Sequence, residues 1–149
     1  MRAVVQRVSR AKVSIDEREV GRIGKGLVIY LGIEHEDTME DVNYMVNKIT
    51  NLRIFQDEED KMNLSVKDVK GELLIISQFT IMGDCRKGRR PSYIMAARPE
   101  EAIILYDEFI KQCEKTGIGV ESGEFQAHMM VDYINDGPVT ILVDSKKIF

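Results

Sequence analysis

Ser77-Gln78-Phe79-Thr80 places two hydroxyls and an amide at the end of an apolar run, Leu73-Leu74-Ile75-Ile76. Polar groups at the end of a buried strand can hydrogen-bond a substrate or line an oxyanion site. They can also merely cap the strand or bond across it. A strand continuing through these residues points Ser77 and Phe79 one way, Gln78 and Thr80 the other. A second cluster lies near the C-terminus, where Gly137-Pro138 interrupts apolar and β-branched residues on both sides. Proline cannot donate to a ladder, so it belongs at an edge, a bulge or a turn. Two strands meeting at a rigid Gly-Pro corner present backbone carbonyls and no side chain. Such a corner can test a ligand's shape without reacting with it.

The usual catalysts are scarce. The chain has two histidines, His35 and His128. His35 stands in the acidic string Glu34-His35-Glu36-Asp37, without a second His or Cys at metal-ligand spacing. His128 reads as a structural or rim residue on a strand face. The sequence contains no GxSxG, no HExxH and no phosphate-binding glycine loop. Neither a metal nor a cofactor is expected. Cys85 and Cys113 are lone cysteines without a CxxC, which suits free thiols in a reducing cytosol. Cys85 precedes a basic loop that could lower its pKa, but a Cys-His pair needs one of the two histidines close by. A Ser or Thr nucleophile lacks an evident general base.

Charge narrows the partners. The net charge is −4, which does not advertise nucleic-acid binding. Its distribution says more, because Arg86, Lys87, Arg89, Arg90 and Arg98 face Asp84 alone between residues 84 and 98. A basic patch on an acidic body can seat a few phosphates, or can simply be a solvated loop. No apolar run approaches the ~20 residues that span a bilayer, and no secretory h-region opens the chain. A cytoplasmic protein is expected.

The elements that hold these residues follow from periodicity. A length of 149 residues suits one domain, 1–149, with a real core. Residues 2–8 and 11–15 alternate as two strands, with Val4, Gln6 and Val8 on one face of the first. Residues 26–33 form a continuous apolar run, as in a strand buried on both faces. A helix starts at Asp37 or Thr38 and turns Met39, Val42, Met45, Val46, Ile49 and Leu52 to one side. Residues 56–61 read as a turn, and 71–81 as another buried strand. A second helix opens with Pro99 at its first position and closes by Gly117. Strands, helix, strands, helix, strands suit an α+β fold, with a mostly antiparallel sheet or open β-barrel and two covering helices. The helices cover one sheet face and leave the other for a partner subunit.

In this order the motifs resemble a known family. Ser77-Gln78-Phe79-Thr80-Ile81 together with Asn135-Asp136-Gly137-Pro138-Val139-Thr140 is similar to the D-aminoacyl-tRNA deacylases. The opening Met1–Val8, Lys61-Met62-Asn63-Leu64 and Gly88-Arg89-Arg90-Pro91-Ser92-Tyr93 fit the same family in the expected order. The resemblance spans nearly the whole chain. It implies an esterase that frees tRNA from a D-amino acid, and from glycine in some contexts, acting as a homodimer with active sites at the subunit interface. It implies a cis bond at Gly137-Pro138, in a loop reaching the partner's site and excluding L side chains. It makes Ser77, Gln78, Phe79 and Thr80 the surroundings of the scissile ester, and Arg7 a brace for the cross-subunit loop. Arg86, Lys87, Arg89 and Arg90 become candidate tRNA contacts. The missing base favours a mechanism assisted by the ribose 2′-OH, with backbone N–H groups stabilising the oxyanion. Two departures stand out: His128 where the family often carries an acidic residue, and Ile81 for a commoner leucine. The rival readings are a non-catalytic RNA-binding dimer module and an acyl hydrolase with a Ser77 or Thr80 nucleophile.

Overall fold

The computed structural model describes residues 1–149. Its organising element is one long strand, β1 (Arg2–Ile15). Alternation predicted two strands here, and the backbone joins them. The register shifts near Val8, so Arg7 and Val8 are both buried, and the odd-numbered positions pass from the helix-covered core (Ala3, Val5) to the second core (Ala11, Val13). The buried positions on the first half are Ala3, Val5 and Arg7, while Val4 and Gln6 are half-buried.

β1 pairs antiparallel with three strands: β2 (Arg18–Ile23), β3 (Gly26–Gly32) and the long β8 (Met130–Asp144). β3 continues in parallel to β6 (Glu72–Ser77), and β6 in parallel to β7 (Gly119–Ser122). The sheet curls far enough for Gly21 of β2 to face the Ser122 carbonyl of β7, where a β-carbon would stand 3.1 Å from that oxygen. The result is a nearly closed, barrel-like sheet. A small hairpin arm, β4 (Phe55–Gln56) and β5 (Met62–Leu64), contains the turn expected at 56–61.

Helices α1 (Met39–Thr50) and α2 (Pro99–Glu114) cover the outer face. Thr38 caps α1 by accepting the Glu40 N–H at 3.2 Å, and Asp41 accepts the Thr38 N–H at 2.8 Å, completing a capping box. Pro99 opens α2, where its missing N–H costs nothing. Val42, Met45 and Ile49 of α1 and Tyr106, Phe109 and Cys113 of α2 share one core with Val5, Leu27, Ile29, Leu73 and Ile75. The intervening residues Val28, Leu74 and Ile76 join Val8, Ala11, Val13 and Ile23 in a second core inside the curl. Burial on both faces explains why β3 and β6 read as unbroken apolar runs. Truncating fully buried Phe109 to alanine would cost ~3–5 kcal/mol. No helix is long and apolar enough to cross a membrane.

Candidate active site

β6 ends at Ser77, sooner than the apolar pattern predicts. Gln78 still donates its N–H to the Leu31 carbonyl at 2.8 Å, and the chain then turns into a 3-10 segment at Phe79–Met82. The turn packs on Gly32, where a β-carbon would stand 2.6 Å from Ile81 Cγ1. Ser77, Gln78 and Phe79 therefore do not alternate between faces. All three line one cavity of about 570 Å³. Thr80 does not line it, but its hydroxyl accepts the side-chain amide of Gln78. The first internal bond of the turn runs from the Ile81 N–H to the Gln78 carbonyl at 3.5 Å, so the amides of Phe79 and Thr80 lie ahead of it.

The opposite wall is the segment Phe125–Met129, which joins β7 to β8. His128, expected on a strand face, stands in this loop and lines the cavity with its side chain exposed. Spacing could not place this wall, because the segment has no regular period. Tyr93 closes one side, its ring edge-on to Phe79 with centroids 5.1 Å apart. The floor is apolar: Leu31, Ile33, Ala97 and Ala102. Beneath it, Tyr106 donates its hydroxyl to the Ile75 carbonyl at 3.0 Å, and burial drives its pKa up. Burial likewise pushes the Cys113 thiol up to about 12, helped by Glu114, which removes it as a nucleophile.

The basic loop rises from the same rim. An antiparallel bridge between Asp84 and Ser92 closes it, and Arg86, Lys87, Arg89 and Arg90 are exposed along it. Arg86 is not free: its Nε and Nη2 donate to Asp84 at 2.9 and 2.7 Å. Those bonds hold the Asp84 carboxyl at about 2.

Gly137-Pro138 lies elsewhere. β8 runs through it as one strand with a large bulge, where two strands and a corner were expected. Val8 pairs with Asn135 and Gln6 with Thr140, so residues 136–139 stand opposite Arg7 alone. The Gly137–Pro138 peptide is cis, and Gly137 takes φ +129°. Arg7, 4% exposed, supports the bulge from the helix-covered side. It donates through Nε to the Asp136 carbonyl at 3.1 Å and through Nη1 to the Ile54 carbonyl at 2.7 Å. Gly137, Pro138 and Arg7 do not line the cavity of their own chain.

A barrel-like α+β fold with one large cavity, walled by an amide, a hydroxyl and aromatic rings, defines a class of proteins with a small-ligand site. Within that class the chain belongs to the D-Tyr-tRNA(Tyr) deacylase family, whose model matches residues 4–144. It is 61% identical over 149 residues to the D-aminoacyl-tRNA deacylase of Clostridioides difficile strain 630, and 54% identical to that of Thermotoga petrophila. All of this chain and all of each relative are covered. Among solved structures it resembles the c-Myc DNA Unwinding Element Binding Protein, with TM-score 0.91 and 42% identity over 97% of this chain and 98% of that one. A probable eukaryotic D-amino acid tRNA deacylase shares the fold, with TM-score 0.82 and 18% identity over 95% and 97%.

Proposed function

We propose that this chain hydrolyses the ester of D-aminoacyl-tRNA, releasing tRNA and the D-amino acid. The observation that carries this reading is identity above one half, along the full length, to proteins named D-aminoacyl-tRNA deacylase. Family membership makes the chain a hydrolase of an ester bond. The cavity volume suits the 3′ end of an aminoacylated RNA, and the basic loop on its rim suits the phosphates behind that end.

The cavity of a single chain holds half the expected machinery. Ser77, Gln78 and Phe79 line it, while the bulge at Gly137-Pro138 lies away from it. A second copy seating its bulge in the cavity completes the site. Two features support that arrangement. β8 pairs only with β1, so its other edge is open, and Met130, Ile134 and Leu142 are exposed along it. In the assembled site the partner's bulge carbonyls receive the substrate's α-amino group. A D side chain then turns toward open space, and an L side chain meets backbone that cannot yield. Glycine has no side chain to reject, so glycyl esters are also cleaved.

Little side-chain acid–base chemistry is needed. An aminoacyl ester on ribose is already activated, and its neighbouring 2′-OH organises the attack. The amides of Phe79 and Thr80 stabilise the developing oxyanion. Gln78 and Thr80, bonded to each other, hold the turn that presents those amides.

The test is hydrolysis of D-Tyr-tRNA and L-Tyr-tRNA, followed by acid-precipitable label. Loss of the D ester alone is expected. Binding without turnover would mark a non-catalytic RNA module. Equal loss of both esters would reject the stereochemical gate.

A further inference from the structure

The bulge at Gly137-Pro138 is held from two sides, and Arg7 accounts for one of them. The other side begins at the preceding residue of β1, whose side chain points to the opposite face. Gln6 donates its amide to Thr140 Oγ1 at 3.3 Å, and Asn135 donates its own to the same oxygen at 3.2 Å. Asn135 Oδ1 then accepts the Val139 N–H at 3.1 Å. Asn135 thus spans the mouth of the bulge from its first flank to its last residue. Thr140, on the far flank, is gripped by two amides. Residues 136–139 have no partner on the β1 ladder, so these side-chain bonds take the place of the missing ones. Val139 also anchors the far end by burying its side chain in the main core.

Gln6 is maintained at a cost. Its Oε1 is a buried side-chain oxygen without a hydrogen-bond partner. Turning the amide over only exchanges an unpaired acceptor for an unpaired donor. An apolar side chain would avoid the penalty altogether. What the glutamine adds is the bond to Thr140.

We propose that Gln6, Asn135 and Thr140 are specificity-determining positioning residues, which set the direction of the bulge carbonyls and hence the discrimination between D- and L-aminoacyl esters. The proposal rests on the deacylase reading above. Arg7 fixes where the bulge starts, through the Asp136 carbonyl. The amide–hydroxyl chain fixes where it ends, through the Val139 N–H. The two carbonyls between those points, of Gly137 and Pro138, are the ones a substrate amine would meet. Their direction is fixed only when both ends are held. Loss of one hydrogen-bonded end lets them swing, which relieves the clash with an L side chain more than it harms the fit of a D one.

The experiment compares single-turnover hydrolysis of D-Tyr-tRNA and L-Tyr-tRNA by the wild-type protein, Gln6→Leu, Thr140→Val and Thr140→Ser. Gln6→Leu and Thr140→Val should lower the D-to-L rate ratio by about tenfold, the scale of one net hydrogen bond. Thr140→Ser keeps the hydroxyl and should stay within about threefold of wild type. Gln6→Leu separates positioning from stability, because it removes the unpaired oxygen. Its melting temperature should hold or rise while discrimination falls. A wild-type ratio in both Gln6→Leu and Thr140→Val, whatever their absolute rates, would overturn the proposal. If Thr140→Val did not fold, Gln6→Leu would decide alone. Wild-type protein inert toward both esters would instead overturn the deacylase reading itself, and the proposal with it.

Discussion

Arg7 lies directly beneath Gly137. A β-carbon on Gly137 would stand 3.0 Å from Arg7 Nη2 and 2.7 Å from Val139 Cγ2. The same guanidinium spans from the Asp136 carbonyl to the Ile54 carbonyl, tying the bulge to the chain between α1 and β4. The bulge is therefore seated on a buried cation that cannot move without abandoning two carbonyls. Rigidity of this kind is what a steric gate requires.

Gly137→Ala should break that seat. The new methyl group meets Arg7 and Val139 at once, at a φ of +129° that side chains rarely adopt. We expect a loss of ~1–3 kcal/mol in urea denaturation, with weakened discrimination between D and L esters. Unchanged stability together with unchanged discrimination would mean that the bulge adapts freely and is no gate.

Thr80→Ala tests the division of labour at the turn. Thr80 is exposed, lies off the cavity wall and is bonded to Gln78. As an orienting group its loss should slow single-turnover deacylation by about tenfold or less. A fall of several orders of magnitude, with folding and tRNA binding intact, would make it the nucleophile. A substrate ending in 2′-deoxyadenosine should react far more slowly than the ribose form, and undiminished hydrolysis would reject assistance by the 2′-OH.

Much of the scaffold was legible in the sequence, because helix ends carry local chemistry. Thr38 with Asp41, and Pro99 with Glu100 and Glu101, announce their helices unaided. Tertiary contacts hid the rest. Phe79, Thr80 and Ile81 look like more strand, and the close approach of Gly32 explains why the chain turns there. β1 reads as two strands because the exposed polar pair Ser9-Arg10 interrupts its apolar alternation at the bulge, while the backbone runs on. His128 reads as part of the last strand, but β8 begins two residues later. Motif order brought Ser77–Thr80 and Gly137-Pro138 to notice together. Their separation in one chain is a property of the barrel that no local pattern carries.

The basic loop makes unequal use of its charges. Arg86 is tied to Asp84, whereas Lys87, Arg89 and Arg90 form no ion pair with a carboxylate. Replacing Arg89 and Arg90 by alanine should weaken tRNA binding and reduce the slope of log affinity against log salt by ~0.7–0.9 for each phosphate contact removed. Arg86→Ala should change that slope less. An equal change for all three would mean that Arg86 leaves Asp84 when RNA binds.

Acid titration isolates the Asp84–Arg86 pair. Side-chain hydrogen bonds from Arg86, then the Arg86 backbone N–H and its charge, hold Asp84 at about 2, below its ordinary value of 3.8. A carboxyl depressed in the folded state stabilises the loop above its unfolded value, and that contribution is lost as pH falls from about 4 through 2. The loop should therefore keep its closed bridge to Ser92 at pH 5 and open only in strong acid. Arg86→Ala removes the side-chain bonds and the charge but keeps the backbone N–H of residue 86, so the Asp84 carboxyl carbon should titrate higher by NMR, between about 2 and 3.8. The variant's loop amides should then exchange faster already near pH 4. Titration of Asp84 at the same pH in both proteins would show that Arg86 does not hold it in solution.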